Sequence, residues 1–596
     1  MKAKTLILPA ALALAAAVAC KKENKENPVF EGDSAYISVN IAYSDASTKG
    51  ESVTPPFYSG IVNENAVSTA HFFFYNADGT FATYTSKAIT MTEEVTPGTS
   101  TDKNVEEVGE AVVVLSGLKS TNYPAYMAVV LNPNGTMIND LKGKSISEAQ
   151  AYVISAIATE ATSTTSGPST DWTNFVMTSS TFDNSDARTG YFCEKLVAEN
   201  FQDDETTAKV HPVTAYVERL ASKVQLTLSA GASAKIGSFD VDGTATDLYF
   251  NVLGWGLNAT TKQSFTYKNI NPSWAITGFD ASKWNDATNH RSYWAKTPVY
   301  GVADGSTVTI GYSTPSTETL FYPANYADVQ RNIATKTPTL NYVSYNDLKV
   351  TVGSNAYCRE NTNDQTVLIA VNFSAAATSV LLKAKVQDGA GYPVQLVNYV
   401  KKLYTFDGYK NQVLTTYAAN HAGALIVKGD GAAYSNIDKD DLEEVNTYDG
   451  YITLKLKALA AGSDYYFYDS GTSYTLTTAD AATEALNGGA AAVTPETKAE
   501  YYKDGMMYYN VPIEHLNNSG VKYGKTGFKT GIIEADYGVV RNHYYQVDIT
   551  AIKNLGKAVY DPDELIVPSD DDLKDYYVGA KINILSWKVV KQSVEL

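Results

Sequence analysis

Residues 35–43 read Ala-Tyr-Ile-Ser-Val-Asn-Ile-Ala-Tyr, with Ile37, Val39, Ile41 and Tyr43 on one face of an alternating run and Ser38 and Asn40 on the other. A period of two over this length predicts a half-buried β-strand. Ahead of it, from Lys21 to about Asp33, the chain is polar and charged and reads as a tether. Behind it lies Ser44–Pro56, rich in small polar residues, with Lys49-Gly50 in the middle and two prolines at the end. That composition predicts a loop, and loop tips of small polar residues are cut most readily by proteases. One cut there would detach the first strand from the rest of the chain.

Strand patterns recur downstream. Ala70–Tyr75, the turn Asn76-Ala77-Asp78-Gly79 and Thr80–Tyr84 together predict a hairpin. Ala111–Leu115 and Ala125–Leu131 are apolar runs that fit buried strands, whereas Ile146–Ala158 carries the three- and four-residue spacing of a helix. Pro212–Leu228 is β-rich with Glu218-Arg219 inside it, and the composition then turns small and flexible over 229–237, where a domain boundary is expected. The second part carries further strand patterns at Tyr249–Val252, Val367–Ala375, Val380–Val386 and Tyr451–Leu456, and a loop or short helix over Ala479–Thr497. Many short strands, few short helices and no fixed-period repeat give an all-β class of sandwich type.

At 596 residues the chain exceeds the roughly 250–300 residues that one core fills, so two domains are expected. With 44% hydrophobic and 19% charged residues it can bury real cores. A net charge of −18 argues against nucleic acid and against electrostatic binding to anionic lipid. Tyrosine, at 43 residues against 19 phenylalanines, favours broad sheets with an apolar side and a wet hydroxyl. At the start, Met1-Lys2-Ala3-Lys4, an apolar run and Ala17-Val18-Ala19-Cys20 form the three parts of a secretory signal. The uncharged run Thr5–Cys20 falls short of the roughly 20 residues a spanning helix needs. A cysteine at this position resembles the lipobox of bacterial lipoproteins, which implies a signal peptide over 1–19 and acylation of Cys20. Cys193 and Cys358 are then the remaining thiols, expected buried and unpaired rather than part of a disulfide framework.

No constellation for catalysis stands out. Asp469-Ser470-Gly471-Thr472 has the letters of an aspartic-protease turn but no second copy to share a proton, so a hairpin turn is the better reading. Asp240-Val241-Asp242-Gly243 lacks the later ligands of a calcium loop and also reads as a turn. Asp570-Asp571-Asp572 reads as a solvated loop. The six histidines are scattered without zinc spacing, and neither a nucleophile elbow nor a phosphate loop is present. No enzyme activity, cofactor or metal is expected.

The segment Tyr537–Gly556, with Arg541-Asn542-His543 inside it, resembles the fimbrilins of the Bacteroidales type V pili, nearest the shaft subunits of the minor (Mfa-type) fimbriae. So do the tail Val589–Leu596, the lipobox, Phe175–Ser180, Val217–Val224 and Asp504–His515. The resemblance implies two transthyretin-like β-sandwich domains in a subunit exported as a lipoprotein to the outer membrane and then built into a surface fimbrium. It implies a trypsin-like protease that removes the N-terminal strand, here Ile37, Val39, Ile41 and Tyr43, by cutting between Lys49 and Gly50. Well-known members are cut after arginine, so the lysine departs from the pattern and does not suit an Arg-only protease. It further implies that a C-terminal strand, here carried by Trp587, Val589, Val590, Val594 and Leu596, fills the vacated groove of another copy. The expected organisation is signal peptide 1–19, propeptide 20–49, domains over 50–236 and 237–580, and a donor tail over 581–596. Partners would be copies of the chain, accessory fimbrial subunits, the maturation protease and, before cleavage, the membrane lipid; adhesion and biofilm formation would be the role.

Physics agrees that losing a strand leaves two unpaired edges that template another. The tail changes phase between Ile584 and Leu585 and again between Val589 and Val590, which predicts a bulge or bend at each. The alternative is that Val590–Leu596 closes its own domain's sheet. Rival functions are a fimbrial tip or anchor subunit, and a surface glycan-binding lipoprotein that would need exposed aromatic platforms.

Overall fold

The structure is a computed structural model, and it describes residues 34–44, 64, 66–93, 105–118, 123–160, 172–180, 192–229, 235–270, 285–286, 291–292, 294–310, 316–421, 424–488, 499–516, 519–523, 527–570, 584–586 and 588–595. The fold is mostly β-sheet with few helices, as the short strand patterns require. The predicted hairpin forms between Thr69–Tyr75 and Phe81–Ala88, with Asp78 capping the turn and Gly79 at φ 83°.

A nine-stranded sheet occupies the N-terminal part. Its path runs Phe81–Ala88, Thr69–Tyr75, Tyr126–Leu131, Met177–Ser179, Val213–Arg219, Ser34–Ser44, Val105–Ser116 and Thr92–Glu93. One core binds it together, from Phe72–Tyr75 and Met127–Leu131 to Val217 and Phe201. A second core lies between two other sheets. A five-stranded sheet contributes Val224, Leu226, Tyr545, Val547 and Ile549, and a ten-stranded sheet contributes Leu248, Phe250, Leu382, Met507 and Val511. That is a β-sandwich by its packing. A lobe with its own core leaves the second sandwich between Ser379–Gln387 and Met506–Pro512, which pair directly. It includes helices α1 (Phe406–Asn420) and α2 (Ala479–Leu486).

The change of sheet comes at Leu220, ahead of the expected 236/237 boundary. Val213–Arg219 ends in the first sheet and Ala221–Leu228 begins in the five-stranded one. The run reads as one β segment because the crossing is made inside an apolar stretch, without loop formers. Two expectations are corrected. The helix at Ile146 stops at Gln150, and Val153–Ile154 instead pairs with Ser264–Phe265. Its start is a full capping box, Ser145 with Glu148, but β-branched residues follow and the sheet takes them. Val367–Ala375, apolar enough for a strand, forms two short helices, Gln365–Ala370, capped by Asp364, and Phe373–Ala376, whose first N–H groups donate to Asp570. Asp242-Gly243 (φ 51° and 79°) and Gly471 (φ 60°) turn hairpins, as their sequences predict.

Candidate functional site: a strand slot and a terminal strand

Ser34–Ser44 (β1) runs through the middle of the first sheet. On one side it pairs antiparallel with Val105–Ser116 (β2), from Ser34↔Ser116 to Ile41↔Gly109. On the other it pairs parallel with Val213–Arg219 (β3), from Val39↔Val213 to Tyr43↔Val217. Ala35, Ile37, Val39 and Ile41 are wholly buried in the first core. The three larger side chains together contribute roughly 5–9 kcal/mol of apolar burial, an upper estimate.

The second face is not the wet one that a half-buried strand would have. Ser38 is 1% exposed. The short helical turns Ala198–Asn200 and Glu205–Ala208 pack on β1, and ahead of Val39, where the pairing with β3 begins, its second edge is closed by Gln202, whose O accepts from Tyr36 N–H at 2.8 Å and whose N–H returns the bond. β1 is therefore a plug, closed on both edges and covered on both faces. Cys20, Lys49 and Gly50 lie outside the described residues.

At the far end of the chain, His543–Ala551 (β5) pairs parallel with Ala221–Leu228 (β4) on one side and with Lys588–Glu595 (β7) on the other. Val589 stands opposite Tyr544, Val590 opposite Tyr545 and Val594 opposite Ile549. Ile584–Ser586 (β6) pairs antiparallel with β7 and forms the sheet's edge. In the single chain the tail thus closes its own domain's sheet. The pairing register runs without a shift through Ile584–Leu585 of β6 and through Val589–Val590 of β7, so the irregularity expected at each is absent. The register shift falls instead at Ile549–Ala551 of β5. Trp587 and Leu596 lie outside the described residues.

Between slot and tail lies a buried polar node that the sequence pattern does not single out. Arg541, 0% exposed, donates from Nε to Glu360 Oε1 at 3.0 Å, from Nη1 to Thr266 O at 3.0 Å and from Nη2 to Phe265 O at 2.6 Å. Asn542 adopts φ 57° and accepts from Arg219 Nη1, while its N–H donates to Ala221 O at the crossing between sheets. Arg219 Nε also donates to Glu64 O at 3.1 Å. The Glu64 carboxylate sits 2.6 Å from Lys223 Nζ and accepts from Tyr357 Oη. Burial and then the Glu64 charge push the Tyr357 phenol far up. Lys268 and Glu218 form a second buried pair at 3.0 Å. The hints in the sequence are charge inside an apolar run, Glu218, Arg219 and Lys223, which must find partners to be buried, and the Arg541-Asn542-His543 segment that carries the resemblance. Apart from Glu360 Oε2, which is buried with no hydrogen-bond partner among the described residues, these groups satisfy one another, so the node joins the two parts rather than offering chemistry.

Cys193 and Cys358 are buried and neither is in a disulfide, and burial pushes the Cys358 thiol up to about 12. Among the described residues no cluster of His, Cys, Asp and Glu could hold a metal ion, and no helix is long and apolar enough to cross a membrane. Asp570 caps the helix at Phe373 and pairs with Lys529; Asp571 and Asp572 lie outside the described residues.

Residues 500–593 match the family model described as the major fimbrial subunit protein type IV, Fimbrillin, C-terminal. No curated protein matches the chain. Among solved structures, the fimbrilin (FimA) of Porphyromonas gingivalis is 12% identical, with 94% of this chain and 96% of that one covered at a TM-score of 0.33. A protein described as a cell adhesion protein from Parabacteroides distasonis is also 12% identical, with 94% and 98% covered at 0.32. The tip fimbrial protein Mfa3 of Porphyromonas gingivalis, truncated at its C-terminus, is 10% identical, with 61% and 81% covered at 0.24.

Proposed function

We propose that the chain, whose residues 500–593 match the Fimbrillin C-terminal family model, is a structural pilin which polymerises by strand exchange after proteolysis. The two slots support this reading by their likeness. β1 lies between a parallel partner, β3, and an antiparallel one, β2; β7 lies between a parallel partner, β5, and an antiparallel one, β6. A strand already stable in the second arrangement has the hydrogen-bonding polarity that the first demands. This equivalence is the observation that carries the proposal.

In this scheme the precursor is exported, acylated on Cys20 and held at the outer membrane. A trypsin-like protease cuts between Lys49 and Gly50 and β1 leaves with its lipid. β2 and β3 then present unpaired edges around an apolar groove, and the tail of another copy peels from β5 to fill it. Fibre growth at the cell surface, with accessory subunits, supports adhesion and biofilm formation. The domains proposed remain 50–236 and 237–580 with a tail over 581–596, although the packing changes at Leu220.

The test is limited trypsin digestion of the precursor and of Lys49→Ala, read by N-terminal sequencing and by gels without boiling. A new terminus at Gly50, with polymer ladders in the parent protein alone and none after deletion of 590–596, is expected. A protein cut at Gly50 that stays monomeric would overturn strand exchange.

A further inference from the structure

The lobe carries a small four-stranded sheet in the order Tyr434–Asn436, Leu425–Gly429, Asp464–Ser470 and Ser473–Thr477. Ile426, Tyr465 and Phe467 turn inward and pack into the lobe core. Alternation then puts Tyr466, Tyr468 and Tyr474 on the outer face, where Tyr434 joins them. Tyr434 and Tyr474 stack with centroids 3.7 Å apart at 4°, Tyr466 meets Tyr434 edge-on at 5.0 Å, and Tyr468 lies 5.2 Å from Tyr474. Gly429 makes room beneath them, since a Cβ there would stand 2.7 Å from Tyr434 Cδ1. Beside them Leu476 is 63% exposed.

Three properties of this face point to one ligand chemistry. Its rings are preassembled, so little side-chain freedom is lost on binding. Among the described residues, the hydroxyls of Tyr466, Tyr468 and Tyr474 bond to no protein group, so the face offers hydrogen bonds as well as flat apolar surface. Its charges are acidic: Asp464 is on the same face and Asp430 on the adjoining turn, and after burial their carboxylates help push the Tyr466 phenol up. Lys428 turns the other way to pair with Asp441 at 2.6 Å. Four half-buried rings are too small a face for a protein partner, which covers about 800 Å² a side. A sugar ring matches better, with one apolar C–H side and a rim of hydroxyls.

We propose that the Tyr434, Tyr466, Tyr468 and Tyr474 face binds a neutral glycan, whose C–H faces lie on the rings and whose hydroxyls bond to the phenols and to Asp464 and Asp430. Anionic glycans are repelled by the same carboxylates. The inference is independent of strand exchange, because the face lies far along the chain from both slots and on a separate core.

The experiment applies the full chain to an array of neutral gluco-, manno-, galacto- and N-acetylglucosamine oligosaccharides and their sulfated counterparts. At least one neutral series should bind, with little dependence on salt. Tyr474→Ala should weaken it about tenfold, as loss of a stacking ring does, while Tyr474→Phe keeps the ring and most of the affinity. Thermal melts confirm folding. Leu476→Glu, which adds charge beside the rings at an exposed site, gives an independent loss if Tyr474→Ala fails to fold. Polymer ladders should be unchanged in every variant. No neutral binding, preference for sulfated glycans, capture of a protein only, or binding that survives both Tyr474→Ala and Leu476→Glu would each overturn the assignment.

Discussion

Glu64 Oε1 and Lys223 Nζ meet at 2.6 Å with both side chains fully out of water, and this pair sets what a single atom change should cost. Glu64→Gln leaves the ammonium buried without its counter-charge, and should lower the precursor's stability by about 3–5 kcal/mol in urea unfolding. The double variant Glu64→Gln with Lys223→Met should recover much of that loss, because neither charge is then stranded. Glu564 predicts a pH effect of the opposite kind to an ordinary carboxylate. Burial, followed by the charges of Asp449 and Asp561, raises it from 4.5 to about 7, although Asp449 N–H and Asn446 donate to it. A raised folded value means that the protonated form stabilises the fold. That contribution is complete below about 4.5 and is lost as pH rises through about 7. Unfolding midpoints should therefore fall over this window, and Glu564→Gln should flatten the decline.

At the scale of the element, β1 is the most exacting piece. Ile41→Ala opens a cavity in a strand paired on both edges, and should cost the precursor about 2–5 kcal/mol in denaturant unfolding. The same change should leave the stability of assembled fibres untouched, since the proposal removes β1 before assembly. β1 is legible because Ile37, Val39 and Ile41 alternate with Ser38 and Asn40, whereas the burial of Ser38 depends on segments distant in sequence that pack on β1 and could not be read locally. α1 was missed for a related reason: it buries Tyr409, Val413 and Tyr417 at a spacing of four, but tyrosine suits strands as well as helices. The Val367 helices failed the other way, their apolar run being too short for periodicity to separate helix from strand. The polar node was illegible because it joins Glu64, Lys223, Tyr357 and Arg541, residues that only the folded chain brings together.

For the whole molecule, charge governs how copies meet. At −18 per chain, approaching subunits repel at long range, and salt shortens that reach to about 10 Å at 0.1 M. Polymerisation after cleavage should therefore speed up between 10 and 150 mM salt, as followed by light scattering; a slowing would mean that attractive charge pairs steer assembly. The central position of β1 has a further, kinetic consequence. While its chain is continuous, β1 competes for the slot as a tethered group, at an effective concentration near millimolar. Any break between Ser44 and Glu64 abolishes that advantage without altering one contact in the groove. At micromolar subunit the released strand is handicapped about a thousandfold, or roughly 4 kcal/mol. The severed bond thus acts as a ratchet: it makes departure of the strand lasting, and leaves the vacancy to whichever segment arrives with neighbours of its own.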